Sequence, residues 1–140
     1  ILDRLFNIKK NSVIFKRKKK KIYILTTVSN FSKEKFFKTI GVKIIKIKEK
    51  KKHTIDLKRI FNIIKKIGFN RILVETGVTF LNQLIKNNLI KNFYLFKSSK
   101  NLGTKGFNNI NPLYIKKINF SEKNRVKINL KGDHLYKVKA

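Results

Sequence analysis

The decisive stretch of this chain is Ile72-Leu73-Val74-Glu75-Thr76-Gly77-Val78-Thr79-Phe80-Leu81. Residues 71–74 form a short apolar run with β-branched members and predict a strand. The run enters Glu75-Thr76-Gly77. Beyond it Phe80, Leu81, Leu84, Ile85 and Leu89 recur at helical spacing and predict an amphipathic helix with those residues inward. A strand that turns tightly into a helix makes an anion site, because the helix N-terminus carries unpaired N–H groups and the positive end of the dipole. Gly77 has no Cβ, so a phosphate can come close to the backbone and lie on the N–H groups of Val78, Thr79 and Phe80. The full G-x-G-x-x-G pattern is absent, and one glycine after a strand is more often an ordinary turn.

Working outward, the same alternation continues upstream. Residues 13–15 and 22–27 predict strands, with the basic run 16–21 between them as a solvated connection. Ser32 is placed to cap a helix whose face holds Phe36, Phe37 and Ile40, and Gly41 stands where that helix ends. Residues 42–47 alternate apolar and Lys, as a half-buried strand does. Residues 49–53 form a polar connection. Thr54 then caps a helix built on Leu57, Ile60, Phe61, Ile64 and Ile67, closed by Gly68. Downstream, 93–96 predicts a strand, 101–111 a glycine- and asparagine-rich loop, and 114–120, 125–130 and 134–138 short strands. A Gly132-Asp133 turn makes the last two a hairpin. Strand and helix alternate, which predicts an α/β fold: a mostly parallel sheet flanked by helices, with an antiparallel C-terminal hairpin. No repeat or linker divides residues 1–140, so a single domain is expected.

Charge points elsewhere. The chain holds 36 Lys+Arg against 7 Asp+Glu, a net charge of +29. Cations in that number neutralise phosphates and release counterions, so nonspecific adhesion to polyanions is expected. Against a dedicated nucleic-acid protein stands the scarcity of Arg, the residue of bidentate phosphate contacts: only Arg4, Arg17, Arg59, Arg71 and Arg125 are present. Lys, Ile, Asn and Phe all have A/T-rich codons, and base-composition drift yields such a surface without selection for binding. A nucleic-acid binder also predicts aromatics interleaved with cations on one exposed face. Here Phe36, Phe37, Phe61 and Phe80 fall on the apolar faces of helices, where core packing explains them. There is no cysteine, and His53 and His134 are too few for a metal cluster, so no metal site is expected. No apolar run approaches the roughly 20 residues of a membrane span, so the expectation is a cytoplasmic protein without a membrane partner.

The order strand, Glu75, small residue, Gly77, helix, then Leu89 to Phe96, then Gly103-Thr104-Lys105-Gly106 resembles the reductase domain of the bacterial bifunctional riboflavin-biosynthesis deaminase/reductase. Two outer pieces fit as well: Ile1-Leu2-Asp3-Arg4-Leu5 is similar to that family's strand ending in Leu-Asp, and Gly132-Asp133 to its closing turn. The chain departs from it in carrying Thr76 where the family usually has Gly, and Lys91-Asn92 where acids are frequent.

The resemblance implies a dihydrofolate-reductase-like fold with NADPH across the C-terminal ends of the strands. Gly77, Val78, Thr79, Phe80 and Leu81 would face the cofactor, with Gly77 and the helix N-terminus on its phosphates. Arg4 would lie at the adenosine end, and Glu75 would touch the substrate, 5-amino-6-(5-phosphoribosylamino)uracil, which is reduced to the ribitylamino product. It also implies that the Asp assisting hydride transfer lies upstream of Ile1, so that the domain is incomplete, and that the protein forms a homo-oligomer. Two alternatives remain open: another reductase of this fold with a different substrate, and a basic nucleic-acid-binding protein.

Overall fold

A computed structural model of the chain describes residues 1–16, 20–51, 54–100 and 121–139. It divides into two compact units, Ile1–Gly68 and Phe69–Ala140.

The first unit is built on a parallel strand pair. β1 (Tyr23–Thr26) lies beside β2 (Lys43–Lys46) in the register Tyr23↔Lys43 to Thr26↔Lys46, and Leu2 adds a parallel bridge to Leu25 on the other side. A helix, α1 (Phe31–Thr39), makes the crossover that a parallel pair requires. Its Phe37 is fully buried in a cluster with Phe6, Ile24 and Val42, against which Ile8, Phe15, Ile22, Phe36 and Ile44 pack. Three phenylalanine rings surround Phe37, with centroids 4.9 to 5.7 Å away, within the range of favourable aromatic pairs. Beyond β2 come a small antiparallel pair, β3 (Glu49–Lys51) with β4 (Thr54–Ile55), and then α2 (Leu57–Lys66), which buries Leu57 and Ile60. Gly41 and Gly68 close α1 and α2 at φ +79° and +101°, the left-handed region where a Cβ is strained.

The second unit holds α3 (Val78–Lys86), with Leu84 buried, and an antiparallel sheet in the order β5 (Asn92–Lys97), β7 (His134–Lys139), β6 (Arg125–Val126). Leu135 and Tyr136 of the central strand are buried. The molecule is mixed α/β, and its parallel character is carried by β1, β2 and the Leu2 bridge.

Several expectations change. Residues 13–15 form a 3₁₀ turn (Val13–Lys16), since the N–H of Phe15 bonds to the carbonyl of Ser12 and so brings the Phe15 ring to the core. Asn30, not Ser32, caps α1: its side chain accepts from the N–H of Lys33 at 2.9 Å, and Glu34 reaches back to the N–H of Asn30 at 3.2 Å. Asp56, not Thr54, caps α2, accepting from the N–H of Arg59 at 3.2 Å. In both places the cap belongs to the residue with extended dihedrals just before the helix, and Thr54 is taken up in β4. The connection at 49–53 contains β3. The strand expected at 125–130 shortens to β6. The strand expected at 71–74 joins no ladder among the described residues, and Leu73 is 80% exposed. Propensity in such a run expresses packing and pairing, and with neither the segment stays unpaired and exposed. His134 is partly buried. The expected loop at 101–111, the strand at 114–120 and His53 lie outside the described residues.

Candidate anion site at the start of helix α3

Gly77 is the N-cap of α3, at φ −72° and ψ 166°. These dihedrals suit any residue, and a Cβ built on Gly77 meets nothing within 4 Å. The fold therefore does not itself require glycine here. The first helical hydrogen bond runs from the N–H of Leu81 to the carbonyl of Gly77 at 3.1 Å. The helix thus supplies no acceptor for the N–H groups of Val78, Thr79 and Phe80. No side chain caps this end, and no acid occupies the first turn. A helix start without a built-in carboxylate or hydroxyl acceptor favours an external anion.

Around this point the expected site residues divide by exposure. Glu75, Gly77 and Thr79 are exposed, whereas Val78, Phe80 and Leu81 are partly buried. Alternation of that kind turns one side of the first helical turn outward while the other anchors it. Glu75 precedes the cap by two residues on the open segment.

Arg4 stands in the first unit. Its guanidinium donates to Glu49 at 3.0 Å, and both side chains are roughly a quarter to a third exposed (27% and 30%). Its carbonyl gathers three donors: Thr26 Oγ1 at 3.1 Å, Thr27 Oγ1 at 3.0 Å and the N–H of Thr27 at 3.1 Å. Those bonds tie the segment after Leu2 to the end of β1, and they satisfy the hydroxyl of Thr26, which is fully buried.

Sequence reasoning missed two supports. Asp3 accepts from the N–H groups of Asn7 at 3.0 Å and Ile8 at 2.7 Å, shaping the turn that places Phe6 in the core at φ +56°. An Asp able to accept from backbone N–H groups a few residues on is the available signal. Asp133 accepts from the N–H of Ser99 at 3.0 Å and from the hydroxyls of Ser98 and Ser99 at 3.2 and 3.3 Å. Those donors, the Ser99 N–H foremost, hold its carboxyl below the usual range. The Gly132-Asp133 turn is thereby fastened to the end of β5.

Among the described residues no group of acids, histidines or cysteines is arranged to hold a metal, and no helix is long and apolar enough to cross a membrane. A search of curated proteins returns no match. Comparison with protein families matches residues 1–133 to the RibD C-terminal domain. With nearly its whole length matched, the chain belongs to the RibD C-terminal domain family, the family of the reductase step of riboflavin biosynthesis.

Proposed function

We propose that this chain reduces the ribosyl group of 5-amino-6-(5-phosphoribosylamino)uracil to the ribitylamino product with NADPH. The observation that carries the reading is the open start of α3 within a chain of this family. Gly77 leaves room for a pyrophosphate to approach, three consecutive amides lack a helical acceptor, and no acid in the first turn repels an anion. These residues fit a dinucleotide phosphate.

When bound, NADPH supplies a hydride to C1′ of the ribosyl unit. The chain supplies orientation. The N–H groups of Val78, Thr79 and Phe80 hold the pyrophosphate, and Phe80 and Leu81 fix the helical turn beneath it. Glu75, exposed beside the cap, accepts hydrogen bonds from the substrate and positions it for transfer. Arg4 favours the 2′-phosphate that distinguishes NADPH from NADH. The Arg4–Glu49 pair keeps some solvent exposure, so the guanidinium can be reached by a phosphate. Residues 1–140 belong to one reductase domain in this reading, and the protein works as a cytoplasmic homo-oligomer.

Substrate-dependent loss of nicotinamide absorbance tests the reading. We expect Glu75→Gln to raise KM for the pyrimidine substrate with little change in NADPH affinity. Unchanged kinetics in that variant would remove Glu75 from the site. Oxidation of NADPH that ignores this pyrimidine would remove the substrate.

A further inference from the structure

The sheet of the second unit has an exposed aromatic strip that the reductase reading does not use. In an antiparallel pair, residues directly opposite share a face. Tyr94 stands opposite Lys137, Asn92 opposite Lys139 and Phe96 opposite Leu135. One face therefore carries Tyr94, Phe96, Lys137 and Lys139 around the buried Leu135, and Phe93, Leu95, Tyr136 and Val138 lie on the other. Tyr94 is 47% exposed and Phe96 is 68% exposed. The ammonium of Lys137 lies 5.7 Å from the centre of the Tyr94 ring. None of these face residues is acidic.

Burial gives two exposed rings on one strand no reason to be aromatic. Set two residues apart, their positions are spaced by about 6.8 Å along the strand. Both rings stand where every second side chain points to solvent, with lysines at one end of the strip. Exposed rings beside cations are the elements of a single-strand binding surface, in which bases stack on aromatics and ammonium groups meet phosphates. Charge favours the same partner, since the chain is +29. Of the acids described in this unit, Glu122 is paired with Arg125 and Asp133 is held by Ser98 and Ser99.

The geometry points to a second activity: the β5–β7 face binds single-stranded nucleic acid without sequence preference, stacking bases on Tyr94 and Phe96 and placing phosphates on Lys137 and Lys139. This activity is independent of the reductase reading. Lysine serves it as well as arginine, because no base edge has to be read. The aromatics weighed in the sequence were helical and inward, whereas these two lie on a strand and point outward.

The test uses the full chain at about 0.3 M salt, where diffuse attraction to the charge is screened. The chain has no tryptophan, so Tyr94→Trp places a single reporter at the strip. We expect an oligouridylate of twelve nucleotides to quench that emission saturably, and the matching RNA duplex to do so much less. Anisotropy with the labelled oligomer reads the same binding in the unmodified chain. There Phe96→Ala weakens it about tenfold, and Phe31→Ala, at an aromatic 83% exposed in the first unit, leaves it unchanged. Both positions are exposed, and circular dichroism checks that the fold is retained. Equal affinity for the duplex, or binding indifferent to Phe96→Ala, would overturn the proposal and leave charge alone as the cause. Loss of self-association in Phe96→Ala without loss of RNA binding would overturn it too, and would make the strip a contact between copies of the chain.

Discussion

At Gly77 a backbone that any residue could adopt is nonetheless occupied by glycine. With φ at −72° and no atom within 4 Å of an added Cβ, the fold tolerates a side chain there, so any penalty for adding one falls on what comes to the helix start. Phe6 is the opposite case. It is a bulky residue at φ +56°, 2% exposed, with its ring 5.7 Å from that of Phe37. Packing and the bonds to Asp3 outweigh the steric preference against that conformation. Phe6→Ala removes a fully buried ring, and we expect it to destabilise the fold by about 3–5 kcal/mol, read by denaturant unfolding. A loss below about 1 kcal/mol would mean the site collapses without cost. None of this is written in the local sequence. Glycine after a strand signals a turn, but whether the turn needs the glycine depends on dihedrals that only the folded chain shows.

Helices were more legible than strands. The apolar spacing of Leu57, Ile60 and Ile64 and of Phe80, Leu81 and Leu84 gave both helices nearly to their ends, because a helix satisfies its own backbone and its period is local. The caps were misassigned by two residues, since Ser, Thr, Asn and Asp all accept hydrogen bonds and only the backbone selects among them. That selection is testable. Asp56→Ala removes the acceptor for the Arg59 N–H and should cost about 1 kcal/mol and fray the start of α2, whereas Thr54→Ala should leave the start of α2 intact. Equal effects by thermal unfolding would contradict the assignment of the cap. Strands depend on distant partners. Residues 92–97 found one in β7 and formed the strand expected. Residues 71–74 are also mostly apolar and joined no ladder among the described residues. The turn at Gly77 into α3 lay on the legible side of this division. The tie of Arg4 to Glu49, 45 positions away, lay on the other.

For the molecule as a whole, charge governs the response to pH and salt. Two of the few acids are held by strong donors. The Lys46 ammonium, 2.6 Å away, holds the Glu34 carboxyl below its usual range, and the Ser99 amide does the same for Asp133. Both native pKa values lie below the unfolded ones, so their contributions are complete above the unfolded values, 4.5 and 3.8, and vanish as pH falls through the native ones. We expect acid unfolding followed by circular dichroism to begin in that interval, and Glu34→Gln together with Asp133→Asn to flatten the curve there. An unflattened curve would mean that other carboxylates carry the acid sensitivity. Salt should have the opposite sign of effect on the charge as a whole: moderate salt relieves self-repulsion among 36 cations and raises the melting temperature.

The same charge would attract any phosphate, so the central claim is tested where that attraction is screened. The measurement is calorimetric titration with NADPH and NADH at about 0.3 M salt, on the unmodified chain and on Gly77→Val. The account predicts saturable binding that favours NADPH, survives the salt and is lost in a variant that still folds, since a Cβ at Gly77 meets no protein atom within 4 Å and the added bulk stands at the start of α3. Binding that disappears with salt, or that is the same in Gly77→Val, would contradict it and leave charge alone as the source of the affinity.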